Sequence, residues 1–310
     1  MLPPELRLTN ARNPLRVRDS PWLADDHPDP RGEMLRQISF VFKAFADRAA
    51  RFEGCRVGVF WDYTALPQRN PESGADDRIE EEKERADRAM RTAVPSWYSH
   101  PSTFVLLCCT PLPTAFAAVY TKDQPYRHRG WCVTERTMSA ITKDSAALID
   151  LRTLRKKPKD IRDILRYGKL SRPPPMAPDA FRSMLEAGLA DGTIRFTYET
   201  DRDAVGDIYE GAFMGQLREA PALHYDRLDW GDDEAVTLAA ALAYAGQHGG
   251  LRDLEILQIS HNQIGDRGMI ALGRAVTAGA LPADCHVYLD GNPGNELHVL
   301  NALDGVQREA

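Results

Sequence analysis

The sequence predicts an α/β protein: a doubly wound parallel sheet, followed by a small α/β repeat segment. Two observations predict this fold class. Short apolar runs of strand length alternate with amphipathic helical patterns in the first half of the chain, which is typical of parallel strands joined by crossover helices. A pattern of strand, turn and helix then recurs towards the carboxyl end at about thirty residues, which is typical of a repeat array.

The first helix is predicted to begin at Asp29-Pro30, because aspartate caps helices and proline fits a first helical turn. Apolar residues follow at spacings of three and four, which is the period of one helix face. This predicted buried stripe consists of Leu35, Ile38, Phe42, Phe45, Ala49 and Phe52. Gly54 is predicted to end the helix.

Three apolar runs are predicted to be buried strands. "CRVGVFWD" (55–62) is apolar on both faces of a strand, so we expect it to be central and covered on both sides. "STFVLLCC" (102–109) is expected to pair with it in parallel, and "SAALIDL" (145–151) is the third strand. A weaker strand is predicted at "LRVRD" (15–19).

Two helical patterns separate these strands. Residues 76–98 carry acidic and basic residues four apart, which indicates a solvated helix face. Its apolar face is predicted from Ile79, Ala86, Met90, Ala93 and Trp97. A second helix is expected to begin near Trp131.

The chain becomes basic and then rich in proline from 152 to 178, which predicts a connector or an irregular wrap. Short helices are predicted near 178–190 and 202–219, on either side of "TIRFTY" (193–198). We therefore expect an α/β domain over 1–170, a bridge over 171–218 and repeats over 219–310.

The repeat is clearest in "LEILQISHNQIGDRGMIALGRAV" (254–276), where an apolar strand, an asparagine and a helix follow in order. Val287, Leu289 and Asn292 restate the strand, and Leu223 with Tyr225 forms the earlier one. Each unit buries its apolar strand and helix only against its neighbours. The asparagine side chain is expected to bond backbone groups that the tight turn leaves unpaired.

Composition limits the function. Apolar residues make up 43% of the chain and charged residues 27%, with a net charge of -6. This balance argues against nonspecific binding to nucleic acid or to an anionic membrane, both of which select basic surfaces. We expect a cytoplasmic protein without a leader or a membrane span, and reduced cysteines, since the five cysteines form no metal-binding pattern.

Candidate site residues follow the predicted strands. In an open α/β sheet, ligands bind outside the carboxyl ends of parallel strands, where the loops converge. Three stretches are expected there, at 62–68, 110–113 and 127–135. They predict a cleft lined by Asp62, Gln68, Arg129, Trp131 and Glu135.

The residues "WCVTE" (131–135), opening a helix after a buried strand, resemble the Trp-Cys-x-x-Glu segment of Toll-receptor-like (TIR) domains, which have a flavodoxin-like fold. "VFWDYTALPQ" (59–68), followed by an acidic helix and "SWYSHPSTFVLLC" (96–108), is similar to the related heterokaryon-incompatibility (HET) pattern. The resemblance covers about residues 55–150. The charged strand at 15–19 departs from it.

In many TIR-like domains, this glutamate is the catalytic residue of an NAD glycohydrolase. The resemblance implies that Glu135 would stabilise the positive charge that develops at the ribose as nicotinamide leaves, and Trp131 or Trp61 would stack on a ring. Asp62, Gln68 and Arg129 would help to hold NAD as a substrate, and no cofactor is required. Other TIR-like domains act only in assembly, sometimes as homo-oligomers.

The C-terminal repeats resemble the ribonuclease-inhibitor type of leucine-rich repeat, over about 85 residues. That resemblance implies a protein partner on the strand face. Together, the two resemblances predict an intracellular signalling or protein-interaction protein, with NAD cleavage through Glu135 as the alternative.

Structural roles remain open for the same residues. A carboxylate in a first helical turn is stabilised by the helix dipole, so Glu135 has a structural alternative. Asp62 could cap a turn, and Trp61, Trp131 and Cys132 could belong to the core. No glycine-rich phosphate loop, serine-hydrolase elbow or metal-binding motif supports another chemistry.

Overall fold

The computed structural model describes residues 15–19, 29, 31–53, 56–61, 65–67, 76–108, 126–154, 158–168, 172–196 and 201–309. Over these residues the protein is mixed α/β and mostly helical, with small parallel sheets and no closed sheet. It divides into two compact units. The first comprises 1–136, 146–170 and 193–199, and the second comprises 137–145, 171–192 and 200–310.

The sheet of the first unit has four strands within the described residues. They are β1 (Leu15–Asp19), β2 (Gly58–Phe60), β3 (Phe104–Leu107) and β4 (Leu148–Asp150), in the spatial order β2-β1-β3-β4. All three pairings are parallel. The carboxyl ends of the four strands therefore lie at one edge of this sheet.

The weakest predicted strand is central. β1 occupies the predicted residues 15–19 and pairs with β2 on one side and with β3 on the other. The expected direct pairing of β2 with β3 is therefore wrong. The expectation of a fully covered β2 is wrong as well, because β2 is an edge strand and the Val59 side chain is 46% exposed. The apolar content of a strand therefore does not show which strands are its neighbours in the sheet.

The first helix, α1 (Glu33–Ala49), begins after the predicted start and ends before Gly54, which lies outside the described residues. Asp29 nevertheless caps it, because its buried carboxylate accepts hydrogen bonds from the backbone N–H groups of Met34 and Leu35 at 3.2 and 2.8 Å. Gly32 supplies the left-handed conformation (φ 67°) immediately before the helix.

The buried stripe of α1 is rotated from the predicted one. Its fully buried residues are Met34, Ile38, Val41 and Phe45. Leu35 and Phe52, which were predicted to be buried, are 44% and 48% exposed. Both stripes have helical spacing and share Ile38 and Phe45, so contacts with the sheet and with a later helix decided between them.

The other helices of the first unit lie between and after the strands. The charged segment forms α2 (Glu80–Arg88), a π-helical turn (Ala89–Ala93) and α3 (Val94–Ser99), followed after β3 by α4 (Gly130–Ser139) and α5 (Ile161–Tyr167). Ile79, predicted on the apolar face, is exposed. α5 lies within 152–178, so that segment is not only a connector.

The second unit contains the predicted repeats. Two helices, α6 (Pro178–Ala190) and α7 (Asp201–Glu219), confirm the helices predicted there. Three strand-turn-helix units follow: β5 (Ala222–His224) with α8 (Asp232–Gln247), β6 (Ile256–Gln258) with α9 (Asp266–Thr277), and β7 (His286–Tyr288) with α10 (Leu297–Glu309). The strands are parallel in the order β5-β6-β7.

The buried side chain of Asn262 joins two neighbouring turns of the repeats. Its Oδ1 accepts hydrogen bonds from the N–H groups of Leu228 and Trp230, at 2.8 and 3.2 Å. Its Nδ2 donates to the carbonyl oxygens of Tyr225 and Ile259, at 2.8 and 3.0 Å. The predicted role of the asparagine is confirmed, because one amide satisfies four backbone groups.

Asn292 repeats this arrangement one unit later. Its Oδ1 accepts a hydrogen bond from the N–H of Ile264, and its Nδ2 donates to the carbonyl oxygens of Ile259 and Leu289. The two asparagines therefore link three successive turns to one another. No helix among the described residues is long and apolar enough to cross a lipid bilayer.

Replacing Asn262 with alanine is expected to lower the free energy of unfolding by ~3 kcal/mol or more, because it leaves buried backbone groups without partners. Asn301→Ala, at an exposed position on α10, is the matched control and should change stability by less than about 0.5 kcal/mol. Urea unfolding monitored by circular dichroism measures both. Equal midpoints for the two variants would contradict this role of Asn262.

Candidate functional site

The predicted cleft lies only partly within the described residues. Asp62, Gln68 and residues 110–113 fall outside them, so their part in a cleft stays a prediction. Arg129, Trp131 and Glu135 are described. The preceding strands β2 and β3 are both parallel to β1, so the segments after them leave the sheet at the same edge.

The start of α4 is held by a second segment of the first unit. A 3₁₀ turn (Tyr126–His128) precedes α4, which begins at Gly130, so the predicted start near Trp131 is confirmed. The N–H of Arg195 donates to the carbonyl oxygen of His128, and the N–H of Gly130 donates to that of Arg195, both at 2.9 Å. Arg129 and Arg195 thereby form a short parallel bridge.

Gly130 is needed at this position because the Phe196 ring packs against its backbone. A Cβ atom at residue 130 would lie 2.2 Å from two carbon atoms of that ring. The next turn is fixed from within, since the hydroxyl of Thr134 donates to the carbonyl oxygen of Gly130 at 2.8 Å. The hydroxyl of Tyr126 donates to the carbonyl oxygen of Cys132 at 3.3 Å. The backbone that carries Arg129, Trp131 and Glu135 is therefore well fixed.

Glu135 is half-buried and lies five residues after Gly130, in the second turn of α4. The first turn of α4 carries no acidic residue. The favourable effect of the helix dipole on a carboxylate declines within the first turn, so the structural alternative based on the dipole is wrong. Glu135 has partners in this structure, and the residue is only partly exposed.

Arg129 is a half-buried cation. Burial lowers the pKa of its guanidinium, and the nearby Cys132 thiol opposes that change. A guanidinium stays charged even so, because its usual pKa is far above neutrality. Trp131 is also half-buried rather than part of a closed core, whereas Cys132 is buried as predicted. The described cysteines Cys108, Cys132 and Cys285 are all free and buried.

A second candidate site is the outward face of the three-stranded sheet. Leu223 and Leu257 point inward and are buried, so the alternate residues of each strand face outward. The outward residues form two registered rows, which are Ala222, Ile256 and His286 in one and His224, Gln258 and Tyr288 in the other. None of these six residues is Lys, Arg, Asp or Glu.

One end of this face is bordered by Asp290. Its Oδ1 accepts a hydrogen bond from the Ser260 hydroxyl at 2.7 Å, and its Oδ2 lies 3.4 Å from Nε2 of His261. These groups lower the pKa of the Asp290 carboxyl, chiefly through the Ser260 hydrogen bond. Within the described residues, no group of three His, Cys, Asp or Glu side chains is arranged to hold a metal ion.

Sequence analysis did not single out His224, Tyr288, His286 or Asp290. The signal was available, because these residues alternate with the inward residues of the repeat strands. The inward residues of each strand form the core, and the residues between them form the outward face. Only the register of the strands shows which outward residues are neighbours.

Gly130→Ala is expected to lower stability by about 1 to 3 kcal/mol, because the new methyl group overlaps the Phe196 ring. A Phe196→Ala substitution in the same chain should recover part of that loss, so the double-mutant cycle is non-additive. Gly211→Ala is the control, since open space surrounds residue 211 in α7. Thermal unfolding measures the four proteins of the cycle and the control, and additive losses in the cycle would contradict the proposed contact.

Two surfaces thus concentrate polar and aromatic side chains in the described residues. One is the start of α4, with Arg129, Trp131 and Glu135, and the other is the outward face of β5, β6 and β7. Each is positioned by backbone contacts within its own unit.

No protein-family model, curated protein or solved structure matches the chain.

Proposed function

We propose that this chain is an intracellular interaction or signalling protein, whose repeat unit recognises a partner protein through the outward face of β5, β6 and β7. The observation that carries the proposal is the composition of that face. In a chain with 27% charged residues, its six outward strand positions hold no Lys, Arg, Asp or Glu. The centres of protein interfaces are depleted of charged residues and enriched in aromatic ones.

Exposure of the face supports the same proposal. Tyr288 is 45% exposed, and His224 and His286 are exposed beside it. A tyrosine offers a large contact area with few rotatable bonds, and it is common among the residues that dominate binding energy. Charged groups such as Asp290 border the face, as polar groups do at the rim of an interface.

The fold supports the proposal by analogy only. The spatial order β2-β1-β3-β4 of parallel strands agrees with a doubly wound, flavodoxin-like sheet of the TIR/HET-like type. The three strand-turn-helix units with their asparagines agree with leucine-rich repeats. We infer a signalling-type α/β domain joined to a recognition array, active in the cytoplasm and with homo-oligomers as a further form of assembly.

The test compares co-purification by the full chain and two of its variants. His224→Glu with Tyr288→Glu places charge at the centre of the face, whereas Val236→Glu places it at an exposed position of α8. A partner should be retained by the unmodified chain and by Val236→Glu. Its affinity for the face variant should fall about tenfold or more when binding is measured with purified components.

The proposed face is rejected if quantitative mass spectrometry finds no protein that co-purifies with Val236→Glu in larger amounts than with the face variant. It is also rejected if the purified partner binds both variants with the affinity of the unmodified chain. Circular dichroism of each variant confirms that the comparison is between folded proteins.

NAD glycohydrolase activity is a second candidate function, and the position of Glu135 favours it. Glu135 is half-buried in the second turn of α4, on the same helix as the half-buried Trp131 and close in the chain to the half-buried Arg129, which directly precedes the helix. A carboxylate can stabilise an oxocarbenium-like transition state, and a guanidinium can bind a diphosphate. Both groups suit cleavage of the bond between nicotinamide and ribose.

Nicotinamide release from NAD by the purified chain tests this activity. Glu135→Gln should lower turnover about 100-fold or more, because it removes the charge that stabilises the transition state. Glu84→Gln, at an exposed position of α2, should leave turnover unchanged. The assay is run with dilute and with concentrated protein, since TIR-like enzymes often act as assemblies, and absence of turnover in both rejects the enzyme hypothesis.

A further inference from the structure

The side chain of Arg136 carries a buried donor that no described residue satisfies. Arg136 is half-buried on α4 and directly follows Glu135. Its Nε–H is shielded from solvent and has no hydrogen-bond acceptor, and its guanidinium forms no hydrogen bond or ion pair within the described residues. A guanidinium keeps its charge in a folded protein. A shielded, charged donor without an acceptor costs free energy, so it points to a partner from outside the chain.

Other shielded arginines of this chain have acceptors for their terminal nitrogens. Arg78 donates two hydrogen bonds to the carboxylate of Asp76, at 2.8 and 2.7 Å. Arg172, whose Nε is also unpaired, donates to a backbone carbonyl oxygen through each of its two terminal nitrogens. Arg136 differs from both, because none of its three nitrogens has an acceptor among the described residues. Its environment on α4 therefore needs an explanation of its own.

Arg136 lies on the same line of α4 as Arg129. Arg129 is the N-cap residue of the helix, because its carbonyl oxygen accepts a hydrogen bond from the N–H of Val133 at 3.0 Å. Seven residues complete almost two helical turns, so the two arginines lie within about 20° of each other around the helix and about 10 Å apart along it. Helical side chains lean towards the amino end of a helix, which brings the Arg136 guanidinium towards Arg129.

The candidate catalytic residues lie on a neighbouring line of the same helix. Trp131 and Glu135 are four residues apart and therefore share a line, which is about 100° from that of Arg136. A ligand with a sugar against Glu135 and a diphosphate against Arg129 and Arg136 would follow one side of α4 from one line to the next. A diphosphate also carries the negative charge that two half-buried guanidiniums attract.

We propose that Arg136, together with Arg129, binds the phosphate groups of the ligand at the start of α4. The site then selects phosphate-bearing nucleotides over nucleosides. This inference deepens the candidate NAD glycohydrolase activity, and it rests on that proposed function for the position of the sugar. A guanidinium binds phosphate through a planar pair of N–H groups, and Nε–H with one terminal N–H forms such a pair.

The first test compares two substrates that contain the same bond to be broken. NAD and nicotinamide riboside both join nicotinamide to ribose, and only NAD carries phosphate. Arg136→Met should lower kcat/KM for NAD about 10-fold or more, chiefly through a higher KM, because charge-assisted hydrogen bonds are lost. It should leave kcat/KM for the riboside within about threefold. Arg85→Met, at an exposed position of α2, is the matched control and should change neither value.

The second test measures phosphate binding without turnover. The probe is ADP-ribose, and its affinity for the full chain is measured by isothermal titration calorimetry. Arg136→Met should bind ADP-ribose about 10-fold or more weakly than the unmodified chain. Arg136→Lys should lose about threefold or more, because lysine keeps the charge without the planar pair of donors. Arg85→Met should bind like the unmodified chain.

A purely structural role for Arg136 leads to a different result. A cation in the last turn of a helix is stabilised by the helix dipole, and α4 ends at Ser139. In that case Arg136→Met lowers the midpoint of thermal unfolding and keeps full affinity for ADP-ribose, which overturns the proposal. Under the proposal, the midpoint without ligand does not fall, and ADP-ribose raises the midpoint of the unmodified chain more than that of the variant.

Three results would reject the phosphate site: equal losses of kcat/KM for NAD and the riboside, no binding of ADP-ribose to the unmodified chain, or full affinity in both Arg136 variants. If Arg136→Met does not fold, Arg136→Lys decides the comparison. Absence of nicotinamide release from both substrates rejects only the glycohydrolase activity. Binding of ADP-ribose that depends on Arg136 then still supports the phosphate site.

Discussion

Asn262 satisfies four buried backbone groups with one side-chain amide, and the arrangement of the second unit depends on those bonds. A tight turn after a parallel strand leaves N–H and carbonyl groups that cannot reach a strand or a helix, and water does not reach them either. Asn292 meets the same need one turn later. Because each asparagine bonds its own turn to the preceding one, the strands are held in register, and the outward rows follow from that register.

The first unit meets the same requirement for backbone pairing in a different way. A central strand, β1, pairs on both sides, and the flanking strands are all parallel to it. Parallel order gathers the segments that follow the strands at one edge of the sheet. A separate backbone contact, through Arg195, fixes the start of α4 and so the positions of Arg129 and Glu135. Rigid positioning is what a binding or catalytic carboxylate requires.

Two sites therefore offer different chemistry. The start of α4 offers a carboxylate and a guanidinium, which suit a small polar ligand. The outward sheet face offers aromatic and histidine side chains and no Lys, Arg, Asp or Glu, which suits a protein surface.

Local patterns in the sequence determined β1 at 15–19, the start of α4, the helices α6 and α7, and the role of Asn262, because each follows from nearby residues and hydrogen bonds. Of the candidate site, Trp131 and Glu135 lie on the predicted helix and Arg129 directly precedes it, while Asp62 and Gln68 lie outside the described residues. Only the tertiary structure decided that β1 is central and that Met34 rather than Leu35 is buried. These outcomes depend on which distant segments become neighbours, and the free energy of that choice is spread over many contacts that no local pattern records.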